Sequence, residues 1–155
     1  MIVIKKILTT LFYIFFPTLI GAIVGLAISG HIDYNSLNQP PLAPPSIAFP
    51  IAWSIIYLLM GISYYIYKKR GNDNEVTSFI YYLQLFVNAL WSIIFFIWKA
   101  RLFAIIWILF LLALVVLLIL QFRKEEKISA YLNLPYLAWL IFATYLNIGI
   151  YILNR

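Results

Sequence analysis

The side chains of this chain that could do chemistry are aromatic and amide rather than acidic or basic. Trp53, Tyr57 and Gly61 follow one another at intervals of four. Gln84, Asn88 and Ser92 do the same, with Trp91 three residues after Asn88. Trp139, Ala143 and Asn147 form a third such row, with Thr144 beside it. Intervals of three or four place residues on one face of a helix. Each row sets hydrogen-bonding groups or small residues beside an indole. That combination suits a flat, apolar molecule held by a few oriented polar contacts. It does not suit proton transfer or nucleophilic turnover, for which a Ser-His-Asp set or a carboxylate pair would be needed. His31 is the single histidine and there is no cysteine, so a multi-His or thiolate metal site is excluded. Neither a metal nor a cofactor is expected.

The same residues have a structural reading. Asn, Gln and Ser inside apolar helices commonly join one helix to the next, and tryptophans form belts at membrane surfaces. Depth separates the two readings. At about 1.5 Å per residue, Trp53 lies roughly 9 Å and Trp139 roughly 20 Å from the expected outer end of the apolar run that holds it. Both are too deep for a belt.

The elements that must position these rows are membrane helices. Of the 155 residues, 65% are hydrophobic and only 10% charged, against about half and a quarter in a soluble domain. Five runs are long enough to cross a bilayer, at about 7–29, 47–67, 76–98, 102–120 and 129–153. They are continuously apolar rather than alternating, which predicts helices and not a barrel. The expected fold is therefore an all-α membrane protein, one domain over 1–155, built as a bundle of five transmembrane helices. The first run, from Ile7 to Ile28, exceeds the 7–15-residue core of a signal peptide and is expected to be retained.

No Asp, Glu, Lys, Arg or His lies inside any of the five runs. Energised pumps depend on intramembrane ionisable groups, so ion-coupled transport is disfavoured. The net charge of +6 comes from residues at the ends of the runs. Lipid headgroups, not nucleic acid, are the matching partner. Lys5, Lys6, Lys68, Lys69, Arg70, Arg123, Lys124 and Lys127 fall on one side, and Lys99, Arg101 and Arg155 on the other. This bias predicts an N-terminus inside and a C-terminus outside, and suits a bacterial plasma membrane. The one sizeable connector, 31–46, carries Pro40, Pro41, Pro44 and Pro45 and is expected to form an ordered lid on the outer side. Gly21, Gly25 and Ser29 give the first span a small-residue face, a candidate contact within the bundle or between two chains.

In order and spacing, several pieces together resemble the TspO/MBR family, the translocator proteins or tryptophan-rich sensory proteins. These are Pro17-x-x-x-Gly21, Tyr34-x-x-Leu37 with Pro40 and Pro44-Pro45, and Pro50-x-x-Trp53 with Tyr57 and Gly61. Gln84-Leu85-x-x-Asn88-x-x-Trp91-Ser92 and Leu134-Pro135-Tyr136-Leu137-x-Trp139, followed by Phe142-Ala143-Thr144-x-Leu146-Asn147, complete the set. The resemblance implies a homodimer of five-helix bundles with a ligand cavity under the first loop. It implies binding of porphyrins such as protoporphyrin IX, and of steroid or isoquinoline- and benzodiazepine-like molecules. By position the pocket would hold Tyr34, Pro44, Trp53, Asn88, Trp91, Ser92, Trp139, Ala143 and Leu146, and a steroid-contact segment would hold Leu146, Tyr151 and Arg155.

The resemblance also implies two alternatives to a binding protein: light-dependent degradation of porphyrin, with Trp53 and Trp139 as the oxidisable indoles, and passive porphyrin transfer across the membrane. Three positions depart from the family pattern. Asp33 and Leu42 stand where many members have Trp, and Ile108 stands where many have Asp.

Overall fold

The computed structural model describes residues 2–155. Helix α1 spans Ile2–Ile28, α2 Ala48–Lys69, α3 Glu75–Ser92, α4 Arg101–Glu125, α5 Lys127–Leu132 and α6 Leu134–Leu153. Among the described residues, five helical segments are long and apolar enough to cross a membrane: Val3–His31, Ala48–Lys69, Glu75–Ile97, Arg101–Glu125 and Lys127–Leu153. The expected all-helical five-span architecture is thus present.

The fifth span differs from the expectation in one respect: it is two helices, α5 and α6, meeting at Asn133. Pro135 is the cause. It sits in the first turn of α6, where its missing N–H leaves one carbonyl of the preceding turn without a partner. Asn133 bridges the junction. Its side-chain nitrogen donates to Ser63 Oγ at 2.6 Å and to the Ser129 carbonyl at 2.8 Å. Ser63 and Ser129 also exchange bonds, each hydroxyl donating to the other's carbonyl at 3.1 and 2.7 Å. This buried knot ties α2 to α5.

A second polar lock closes the same end of the bundle. Asn74 caps α3 by accepting from the amides of Val76 and Thr77, and donates to Glu125 at 2.7 Å. Glu125 also accepts from the Thr77 hydroxyl at 2.9 Å. With α3 and α4 fixed by this lock, their apolar faces pack. Ala104, Ile108, Leu111, Val115, Leu118 and Phe122 recur at helical spacing along α4 and are fully buried. Ile108 therefore fills the core.

Helices α1 and α2 pack closely, most tightly at Gly61. A Cβ on Gly61 would lie 1.9 Å from the Ile14 carbonyl oxygen, so only glycine permits this approach. One to two turns further along, Gly21 of α1 lies against the Tyr57 ring of α2. Within α3 the helix changes pitch: a π-turn over Ile93–Ile97 carries it to the α3–α4 corner. The space left between the C-terminal half of α1, this turn and α6 is the cavity described next.

Candidate ligand cavity

The 31–46 segment crosses the open end of the bundle and is pinned at several places, among them the Tyr145 hydroxyl of α6, which donates to the Pro41 carbonyl. Tyr34 is buried; its hydroxyl donates to the Pro44 carbonyl at 2.9 Å, and its ring meets Phe49 edge-on at 4.8 Å. The Gln39 side chain donates to the Tyr34 carbonyl at 2.9 Å. Burial pushes the Tyr34 phenol above its usual range. At the end of α6, Asn38 and Asn154 exchange hydrogen bonds, the Asn38 amide donating to Asn154 Oδ1 and Asn154 Nδ2 donating to the Asn38 carbonyl, both at 2.9 Å. At the start of α4, Asp33 pairs with Arg101 at 2.9 Å and with Lys99 at 3.2 Å. Pro40 to Ala43 forms a turn closed by the Ala43 amide on the Pro40 carbonyl, with Leu42 at φ 66°. Leu42 is 85% exposed, so its side chain points away from the bundle.

Beneath this loop lies a cavity of about 610 Å³. Helix α1 contributes Thr18, Gly21 and Gly25, α2 contributes Pro50, Trp53 and Tyr57, and α3 contributes Trp91, Ser92 and Phe95. Ala143, Leu146 and Asn147 of α6 close the opposite side, and Tyr34 and Phe49 close the loop end. No Asp, Glu, Lys, Arg or His stands on the wall. The Trp53 ring lies 6.4 Å from Trp91 and 5.5 Å from Tyr57, and Trp91 stacks on Phe95 at 5.5 Å. The walls are thus aromatic planes with hydroxyl and amide groups between them, suited to a planar apolar guest.

The floor is a chain of hydrogen bonds. The Tyr57 hydroxyl donates to Asn88 Oδ1 at 2.7 Å, Asn88 Nδ2 donates to the Tyr136 hydroxyl at 2.7 Å, and that hydroxyl donates to Gln84 Oε1 at 3.0 Å. This chain holds Tyr57 upright against the guest space. It also joins α2, α3 and α6 below it.

Of the residues expected in the pocket, Tyr34, Trp53, Trp91, Ser92, Ala143 and Leu146 line this cavity. Asn88 lies one layer deeper, behind Tyr57, with both amide groups engaged. Pro44 acts through its carbonyl, as the acceptor for Tyr34. Trp139 stands behind Phe49, with ring centres 5.9 Å apart, and is not on the wall. The expected steroid-contact segment divides: Leu146 faces the cavity, while Tyr151 and Arg155 line a separate crevice with Lys99 and Arg101. Five residues of helix turn Leu146 and Tyr151 to different faces. Gly21 and Gly25 face inward; a Cβ on Gly21 would strike the Tyr57 ring at 2.4 Å, and Gly25 has open space before it. The contribution of α1 to the wall, and of Phe49 and Phe95, was not read from sequence. Phe95, four residues after Trp91, carried the spacing that would have shown it.

No cluster of three or more potential metal ligands occurs among the described residues. A multi-pass helical membrane protein with an uncharged aromatic cavity under a pinned loop is the class that fold and site define.

The chain belongs to the TspO/MBR family, whose model matches residues 13–153. It is 39% identical over 123 residues to the tryptophan-rich protein TspO of Archaeoglobus fulgidus, covering 78% of this chain and 79% of that one. The protein CrtK of Rhodobacter capsulatus is 33% identical, with 94% of this chain and 93% of the relative covered. The translocator protein of Ovis aries is 33% identical over 74% of this chain and 70% of its own.

Proposed function

We propose that this chain is a membrane receptor of the translocator type that binds protoporphyrin IX and related flat, apolar molecules, steroid- or isoquinoline- and benzodiazepine-like ones included, within the bundle. The observation that carries the reading is the cavity of about 610 Å³, walled by the indoles of Trp53 and Trp91 and free of charged side chains. A tetrapyrrole plane fits such walls by stacking, with the two propionates of protoporphyrin IX directed out of the uncharged cavity toward water. In this reading the N-terminus lies inside a plasma membrane, the C-terminus and the 31–46 loop lie outside, and two chains pair as a homodimer through membrane-facing surface.

The test is a tryptophan-fluorescence titration with protoporphyrin IX. Saturable quenching at one porphyrin per chain, weakened in Trp53→Phe, supports the reading. Linear, unsaturable quenching that is the same in both proteins removes it.

Light-dependent degradation of the porphyrin is the second reading. Trp53 on the cavity wall favours it, since an indole against an excited porphyrin is open to oxidation by the singlet oxygen formed there. Trp139, screened by Phe49, is less well placed for that role. Illumination of the complex decides: bleaching no faster than with free tryptophan argues against enzyme action.

A further inference from the structure

The basic residues at the two ends of the bundle are used differently. At the end away from the 31–46 loop, Lys68 pairs with Asp73 and Arg70 with Glu126. At the loop end, Lys99 and Arg101 from the α3–α4 corner and Arg155 from beyond α6 all line one crevice of about 530 Å³. These three cations share a single carboxylate side chain, that of Asp33, which Lys99 and Arg101 hold together. Arg155 is exposed and makes no ion pair among the described residues, and the Lys99 side chain stays 54% exposed. The bias that gathers basic residues on one side of a membrane explains the first group but not the second.

Two further features make the crevice more than a charged patch. Its wall includes the first turn of α4, where the amide N–H groups of Leu102 and Phe103 meet no acceptor among the described residues. Ala100 at the N-cap offers no side-chain acceptor and no acidic residue follows in that turn, so the partial positive charge of this helix end adds to the cluster. The crevice also continues into apolar surface. Leu102 and Phe103 line it and lie exposed, and Ile106, Leu109 and Phe110 carry the same exposed strip along α4.

We propose that this crevice binds the headgroup phosphate of an anionic phospholipid, whose acyl chains lie along the exposed strip of α4. Lys99 and Arg155 supply the free charge, since Arg101 is held by Asp33 and lies over Phe95. A zwitterionic headgroup brings a cation of its own to a cluster already in excess of positive charge and is disfavoured. A soluble phosphate meets the charges but leaves the apolar strip unused. The proposal is independent of what fills the cavity beneath the loop.

Trp98 precedes Lys99 and is 62% exposed, while the other four tryptophans are buried or half-buried, so its fluorescence reports on lipid beside the crevice. The full-length chain is reconstituted in phosphatidylcholine bilayers in which a fixed fraction of the lipid carries bromines high on its chains. That fraction is phosphatidylglycerol in one set and phosphatidylcholine in the other. Brominated phosphatidylglycerol is expected to associate, and so quench, about fivefold more strongly than its zwitterionic counterpart. The difference should vanish in Trp98→Phe and in the double variant Lys99→Asn with Arg155→Gln. Asparagine is chosen because Lys99 has φ 53°, a conformation asparagine tolerates. Lys5→Gln with Lys6→Gln removes as much charge from the far end and should leave the preference unchanged. Arg155→Gln alone, expected to lose part of the preference, serves should the double variant fail to fold.

Equal quenching by the two lipids in the wild type overturns the proposal. So does a preference that survives removal of Lys99 and Arg155, or one that falls as far when Lys5 and Lys6 are changed, since either makes it a property of the whole surface charge. Loss of the preference to millimolar inorganic phosphate at matched ionic strength would assign the crevice to a soluble anion and overturn the lipid as its occupant.

Discussion

The carboxylate of Asp33 holds the guanidinium of Arg101 at 2.9 Å, and the same guanidinium lies over the ring of Phe95 at 5.1 Å. The 31–46 loop is thereby fastened to the first turn of α4 through a residue that also touches the back of a cavity wall. Asp33→Asn leaves the loop's other pins in place and removes the charge. Because the pair is only partly screened from solvent, about 1 kcal/mol is the expected loss. Ligand dissociation measured by stopped flow should quicken severalfold, and added salt should quicken it in the wild type but not in the variant. Unchanged rates would show that the ion pair does not hold the loop closed.

The two glycine positions on either side of the α1–α2 contact should respond oppositely. Gly61→Ala drives a methyl into the Ile14 carbonyl, and the backbone cannot yield as a side chain would. A loss of about 3 kcal/mol or more is expected. Gly25→Ala enters open space inside a helix and should raise stability by about 0.5–1 kcal/mol, the helix-propensity gain of Ala over Gly. Thermal unfolding in detergent compares them.

Asn88→Leu removes the group that both Tyr57 and Tyr136 hydroxyls use. Leaving those hydroxyls buried without that partner is expected to cost about 2 kcal/mol or more. Affinity for a cavity ligand should fall less than stability does, because Asn88 acts through Tyr57. A variant of full stability with lost binding would place Asn88 at the wall instead.

Tyr34 makes the loop sensitive to alkali. Its phenol is held above the ordinary value of 10.0 by burial, so the folded state favours the neutral form. The stability this gives is fully present below the ordinary value and is lost as pH rises through the raised one. Tyr34→Phe keeps the ring against Phe49 but cannot ionise or donate to Pro44. Loop opening, followed by a fluorophore on the exposed Leu42 position, should rise above about pH 10 in the wild type and stay flat in Tyr34→Phe.

Much of the architecture was legible because a membrane helix must satisfy its own backbone and so announces itself as a long apolar run. The break at Asn133 was harder to see, although Pro135 marked it, because hydropathy does not register a missing N–H. Helical spacing correctly put Trp53, Trp91 and Ala143 on faces that converge. It could not show what stands between a face and the cavity. Phe49 screens Trp139, and Tyr57 covers Asn88, through contacts between helices that no single-helix pattern contains. Asn147 was on the same face as Ala143 in the sequence, and both line the cavity. Asp33 and Leu42 were legible as departures; that one forms an ion pair and the other turns outward depends on the fold of the loop.

The central claim is that the guest lies against Trp53 inside the bundle. The most direct measurement is protoporphyrin IX quenching in two single-tryptophan proteins, with the other four of the five tryptophans changed to Phe. One keeps Trp53, on the cavity wall, and the other keeps Trp98, which is 62% exposed at the bundle surface. Near-complete, saturable quenching of Trp53 with a weaker effect on Trp98 is the predicted result. Equal quenching of the two, rising in proportion to porphyrin added, would contradict it.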